Sequence, residues 1–229
     1  LSNWDTHNVT NLAFTFSGDS SLTSLGDLSN WDTHNVNNLA YTFNQTPHLT
    51  GQRTADGIAK WDVSNVTNFA MTFDGCGLSK LDLHNWNTSK GTNFNLLFSN
   101  AGVKNLNLNG WDFSHGPVSA FAQGLTNPAL ITMNDVKLPT GNNSFKTTDF
   151  AGTKPLVVIS DQLPLSLNDN KWHFNYRQSD GTMKPGPDIT GRQNSNILTF
   201  VEKGNTSNKL GTKPMDFVFA SNDDFEKAI

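Results

Sequence analysis

The sequence predicts an α/β repeat: a leucine-rich-repeat solenoid built from a strand plus a short helix per coil of 25–30 residues, closed by a β-rich C-terminal cap. Three observations predict it. A tryptophan motif recurs at Leu1-Ser2-Asn3-Trp4-Asp5-Thr6, Leu28-Ser29-Asn30-Trp31-Asp32-Thr33, Ile58-Ala59-Lys60-Trp61-Asp62-Val63, Leu83-His84-Asn85-Trp86-Asn87-Thr88 and Leu108-Asn109-Gly110-Trp111-Asp112-Phe113. Downstream of each tryptophan, apolar residues recur at the spacing of one helical face. A turn then leads into Leu-x-x-Leu-x-Leu, the strand signature of a leucine-rich repeat.

Aligned on Trp, the helical columns are Val9, Val36 and Val66 at +5, Leu12, Leu39, Phe69 and Phe94 at +8, and Phe16, Phe43, Phe73 and Phe98 at +12. This predicts about two helical turns per coil. The Asp or Asn after each Trp, followed mostly by Thr or Ser, suits capping by accepting free N–H groups at a helix start. Turns such as Ser17-Gly18-Asp19-Ser20 and Asp74-Gly75-Cys76-Gly77 follow. The clearest strand copies are Leu78, Leu81, Leu83 and Val103, Leu106, Leu108; a looser copy at Leu22, Leu25, Leu28 reads as bulged around Gly26-Asp27.

Successive coils begin at Leu1, Leu28, Ile58, Leu83, Leu108 and Val136, with periods of 27, 30, 25, 25 and 28 residues. The longest contains an insertion, Gly51 to Gly57, expected to project as a surface loop. The Trp111 repeat is read as carrying two extra residues around Gly116-Pro117, after which Phe121 and Leu125 resume the helical columns. Beyond Val136 the pattern decays, and Pro155 to Ile159 supplies a last apolar strand. Two units are predicted: the solenoid at 1–159, and a cap or small β-rich module at 160–229. In the latter, Trp172, Phe174 and Tyr176 alternate ahead of an Asp180-Gly181 turn, Ile197 to Val201 and Phe217 to Phe219 read as strands, and Asn222 to Ile229 as a short helix.

At 229 residues the chain can bury a substantial core. A net charge of -4 offers no cationic surface for polyphosphate, so nucleic acid is not an expected partner. No apolar run approaches the ~18 residues of a membrane helix. Cys76 is the only cysteine, which excludes an intrachain disulfide and paired-cysteine zinc sites, and reads as a buried filler. The chain opens in mid-repeat without Met, as expected of a piece cut from a longer protein.

The run Asn-Trp-Asp-Thr-x-Asn-Val-Thr-Asn-Leu-x-x-x-Phe-x-Gly, followed by Leu-Thr-Ser-Leu, resembles the BspA-like leucine-rich repeat surface proteins of host-associated bacteria. The resemblance covers residues 1 to about 159, and Cys76 matches a frequent Cys of that family. It implies a non-enzymatic adhesin, extracellular and attached to the bacterial cell wall through segments outside this stretch, with host mucin or other glycoproteins and glycans as partners. Asn87 and Gly91 depart from the family's Asp and Val columns, and no wall-sorting signal is visible.

Trp4, Trp31, Trp61, Trp86 and Trp111 recur in register, so they read as a structural spine of stacked rings and not as sugar platforms. Whether Trp or the Asn before it faces the core is left open. The Asp5, Asp32, Asp62 and Asp112 column offers one carboxylate per coil, short of the converging oxygens calcium needs, and His7 with His34 lacks a third ligand. No metal or cofactor is expected. No nucleophile elbow, paired-His motif or phosphate loop occurs, so no catalytic residue is assigned and the chain is read as not an enzyme, against a weaker carbohydrate-active reading. Binding is assigned to outward strand positions, Lys80, Asp82, His84, Asn105 and Asn107, and to Arg53 in the insertion. The expected module is a monomer that adheres to host mucus or epithelial and matrix glycoproteins; the alternative is a structural spacer presenting another domain.

Overall fold

In the computed structural model, the described residues are 1–154 and 156–160, together with the strand segments 168–177, 183–194, 197–200 and 217–219. Coils stack so that residues 23 to 33 positions apart are bonded to one another. Among the described residues no coil has the predicted α-helix after its Trp, and the coil from Val136 has only the short 3₁₀ helices Gly141–Asn143 and Thr147–Phe150. In place of the α-helix runs a chain of tight turns, each closed by an i→i+3 bond such as Thr15 N–H to Leu12 C=O, Ser17 to Phe14, Thr42 to Leu39 and Asn44 to Tyr41.

The reason lies in the backbone. Ten residues after its Trp, each of the first four coils has a residue at positive φ: Phe14 (61°), Tyr41 (59°), Met71 (54°) and Leu96 (52°). Four residues further on, φ is positive again at Gly18, Gln45, Gly75 and Asn100. Positive φ at the third residue of a turn is the mark of type II, and it interrupts any α-helix. Three-residue turn spacing puts the +5, +8 and +12 residues on one side, which is how the apolar pattern imitates a helical face.

What the turns gain is a ladder between coils. The N–H groups of Leu12, Phe14, Phe16 and Gly18 donate to the carbonyls of Asn38, Ala40, Thr42 and Asn44 at 2.8–3.0 Å. Leu39, Tyr41, Phe43 and Gln45 do the same to Asn68, Ala70, Thr72 and Asp74, and the pattern continues through Phe69 to Gly75 and Phe94 to Asn100. A left-handed non-glycine residue costs roughly 1–2 kcal/mol. Four ladder bonds per coil, at about 0.5–1.5 kcal/mol each, offset it.

These findings correct the fold class: the chain is not an α/β leucine-rich repeat with a helix per coil. Only one α-helix occurs among the described residues, α1 (Gln52–Ile58), and it lies in the insertion expected to be a loop. Ala55 and Ile58 are spaced to bury one face, and Gln52 Nε2 donates to Asp56 Oδ1 four residues on at 2.8 Å. Gly57 allows the close approach, since a Cβ there would come 2.6 Å from the Leu28 nitrogen. The expected bulged strand at Leu22–Leu28 does not form. Its Leu25 N–H instead donates to Thr54 Oγ1 of α1, and Thr54 returns a bond to the Gly26 carbonyl.

Strands begin only after α1. Strands β1 (Lys80–Asp82), β2 (Asn105–Asn107), β3 (Ala129–Thr132) and β4 (Leu156–Ile159) pair in parallel. Strand β4 then pairs with β7 (Ile197–Phe200), which continues through β6 (Met183–Asn194) and β5 (Asn168–Arg177) to β8 (Phe217–Phe219). The β5–β6 hairpin, Ile197–Phe200 and Phe217–Phe219 fall where alternation placed them; the Asp180-Gly181 turn and the helix read at Asn222 to Ile229 lie outside the described residues.

Trp31, Trp61, Trp86 and Trp111 are buried, which answers whether Trp or Asn faces inward. Each indole N–H crosses to the preceding coil: Trp31 Nε1 to Leu1 C=O, Trp61 to Leu28, Trp86 to Ile58 and Trp111 to Leu83, at 2.8–3.2 Å. Trp31 stacks on Trp61 (5.6 Å, 3°) and Trp86 on Trp111 (5.9 Å, 10°). Trp4 departs from the expected spine: it stacks on Trp31 but is 57% exposed. Phe16, Phe43, Phe73 and Phe98 form a second stack, ending at Phe121, which meets Phe98 edge-on at 75°. The two extra residues expected near Gly116-Pro117 are not there. Ala120 takes the positive φ, so Trp111 lies one residue closer to that position than Trp86 does, and Phe121 falls one column off the stack.

Truncating Trp61 removes a buried ring from between two coils and orphans the Leu28 carbonyl. Trp61→Ala should lower unfolding free energy by about 3–5 kcal/mol in a urea melt; a loss under about 1 kcal/mol would contradict the spanning role given to the indole.

Candidate binding surface

Alternation along β1 and β2 points Leu81 and Leu106 inward and turns their neighbours out. Lys80 and Asp82 are exposed, Asn105 and Asn107 half-buried, and the parallel register sets Lys80 beside Asn105 and Asp82 beside Asn107. The structure therefore brings four of the assigned residues onto one sheet face, at a strand spacing of about 4.8 Å. His84 joins them: its Nδ1 lies 2.6 Å from Asp82 Oδ1. The Thr132 hydroxyl of β3 donates to Asn107 Oδ1 at 3.1 Å, extending the polar row by one strand. Arg53 sits apart from this sheet, exposed on α1, which packs beside β1.

The row holds a cation, a carboxylate paired with imidazole, and amide and hydroxyl groups. It can offer several hydrogen bonds to a hydroxyl-rich ligand lying across the strands.

A second polar column follows the tryptophans. Asp5, Asp32, Asp62 and Asp112 each accept the backbone N–H two residues on, the geometry expected for capping, although turns and not helices follow. Thr6, Thr33 and Thr88 donate from their hydroxyls to the carbonyls of Asp32, Asp62 and Asp112 in the next coil. Asp112 is buried. Burial pushes its carboxyl up, but bonds from Ser114 and from Lys137, at 3.0 Å, outweigh this and hold it below the usual range.

His7 Nδ1 lies 2.6 Å from Asp5 Oδ1 and His34 Nδ1 2.5 Å from Asp32 Oδ1, both in solvent. The hydrogen bond to Asp5, with its charge and that of Asp32, raises the His7 pKa, while the His7 bond lowers that of Asp5. Among the described residues no group of three or more His, Cys, Asp or Glu side chains converges. Cys76 is buried, and burial raises its thiol pKa.

The turn segments also carry an outward row that the sequence reading missed, Phe14, Tyr41, Met71 and Leu96, all at positive φ. Phe14 is 60% exposed and stacks on Tyr41 at 4.5 Å. Their spacing looks like the solvent side of a helix, so only the turn geometry shows them as one row.

A family model described as "Mycoplasma protein of unknown function, DUF285" matches residues 1–55 and 52–127. The two matches meet at α1 and together span more than half of the 229 residues. The chain belongs to this DUF285 family. The matched span of the family contains all six assigned binding residues and the outward turn row. No curated protein matches the chain, and no solved structure does. No helix among the described residues is long and apolar enough to cross a membrane.

Because His7 gains a carboxylate partner on folding, its protonated form is favoured in the native state. The resulting stability is present below the unfolded His pKa and is lost as pH rises through the folded one. An NMR titration should place His7 above its ordinary 6.5, and Asp5→Asn should bring it back towards that value; an unmoved midpoint in the variant would refute the pairing.

Proposed function

We propose that the chain is a non-enzymatic binding module of an extracellular bacterial surface protein, adhering to host mucin or related glycoproteins through the face formed by β1 and β2. The observation that supports it is the side-by-side placement of Lys80, Asp82, His84, Asn105 and Asn107, a flat row of hydrogen-bonding groups without large apolar side chains. Such a surface suits a hydrated, multivalent contact, in which many weak sites add by avidity. The resemblance to BspA-like surface proteins supports the same reading.

Binding of the chain to immobilised mucin tests it. Changing Lys80, Asp82 and Asn107 together to Ala should weaken retention at least about tenfold, in line with several lost hydrogen bonds at an exposed site, and leave the melting temperature close to that of the unaltered chain. Mucin binding indifferent to the triple change would remove this face from consideration, and no binding by the unaltered chain would favour a spacer.

A further inference from the structure

The sequence contains one Asn-Gly pair, Asn109-Gly110, and it lies where β2 passes into the buried Trp111. Asparagine before glycine is the pairing most prone to lose its side-chain amide, because no Cβ shields the glycine nitrogen. That nitrogen gives up its proton to a base and attacks the Asn Cγ, ammonia leaves, and a five-membered succinimide remains. Water then opens the ring at either carbonyl, to aspartate or to isoaspartate. Only water and hydroxide are consumed or needed.

The pair sits in a turn that differs from its counterparts. Each Trp N–H closes a turn onto the residue three before it: Trp4 to Leu1, Trp31 to Leu28, Trp61 to Ile58, Trp86 to Leu83 and Trp111 to Leu108. The third residue of the first four is Asn3, Asn30, Lys60 or Asn85, none at positive φ, whereas in the last it is Gly110 at 79°. Positive φ at that residue alone makes the turn type II, with the Asn109 ψ near about +120°. Closing the succinimide ring swings the Gly110 nitrogen round to the Asn109 Cβ, roughly 120° of rotation away from the type II conformation.

One residue of the following coil holds both reacting groups. Gly110 N–H donates to the Asn134 carbonyl at 2.9 Å, and Asn109 Oδ1 accepts the Asn134 N–H at 2.9 Å. The proton that must leave is engaged, and the amide that must be attacked is tied by its oxygen. Asn109 is half-buried and Gly110 exposed, so these bonds and the turn, and not exclusion of water, hold the pair shut. Asn134 is itself fixed by the buried Ile131, Met133 and Val136 around it and by the pairing of β3 with β2.

We propose that Asn109-Gly110 is a deamidation site gated by the coil that carries Asn134: closed while that coil is docked, and open when it separates. Ring opening to aspartate leaves an oxygen for the Asn134 N–H, so the stack recloses with one more negative charge beside the β1–β2 face. Ring opening to isoaspartate adds a methylene to the main chain between β2 and Trp111. The β2–β3 register and the Trp111 indole bond to the Leu83 carbonyl then cannot both be met, and a transient separation becomes permanent. The site stands whether or not the β1–β2 face binds mucin.

The full chain is incubated at mildly alkaline pH, folded and in urea, and the peptide holding Asn109 is followed by mass spectrometry for deamidation and isoaspartate. In urea Asn109 should convert before any other asparagine. Folded, it should convert about tenfold or more slowly, since the rate follows the open fraction. Val136→Ala, which loosens the clamping coil, should speed conversion about threefold or more in the folded chain and leave the rate in urea unchanged. Hydrogen exchange on the unaltered chain tests the gate without a variant: the Gly110 N–H should be protected by about the ratio of the two conversion rates. Equal conversion folded and in urea, earlier conversion of another asparagine in urea, or a freely exchanging Gly110 N–H overturns the proposal. So does a folded Val136→Ala chain that converts no faster than the unaltered one.

Discussion

The structure depends on the alignment of alternate peptide units along the stack. In each turn segment four of them point their N–H groups at the following coil and their carbonyls at the preceding one, so that hydrogen bonds run continuously from Leu12–Gly18 to Phe94–Asn100. Keeping four successive alternate peptides in one orientation obliges the chain to enter the left-handed region at intervals. A helix satisfies its own peptides; these segments are satisfied only by neighbouring coils. The stability of each coil is therefore a property of the stack.

That dependence explains how the other parts are arranged. The Trp and Phe stacks fill the space that the turns enclose, and each indole N–H ties its coil to the coil before. Where the chain inserts α1, the sheet does not begin until the next coil. Thr54 then supplies the bonds that a neighbouring strand would have made to Leu25 and Gly26, and the helix covers ground beside β1 that would otherwise be an open edge. Gly91 shows the same economy of space, since a Cβ there would collide with the Phe94 ring.

Alternation also separates the surfaces. The strand face offers hydrogen bonds and a few charges; the turn face carries Phe14, Tyr41, Met71 and Leu96 at positive φ, the first exposed and the others half-buried. Membership of the DUF285 family covers the coils that carry both faces.

The repeat unit, its lengths, the inward columns and the later strands were legible in the sequence, because burial imposes a periodicity that composition records directly. Helix against tandem turn was not. Both place residues three and four apart on one side, and the deciding quantity is the sign of φ at Phe14, Tyr41, Met71 and Leu96, residues whose types argue against it. The assigned strand residues were found together because parallel register follows from the repeat, whereas Arg53 was misread as part of a loop because a seven-residue helix leaves little pattern. By itself the sequence determined that coils recur, what they bury and which strand side chains face out. Only the tertiary structure decided that the segments between hold left-handed turns, since the bonds that repay that conformation are made to residues 23 to 29 positions away.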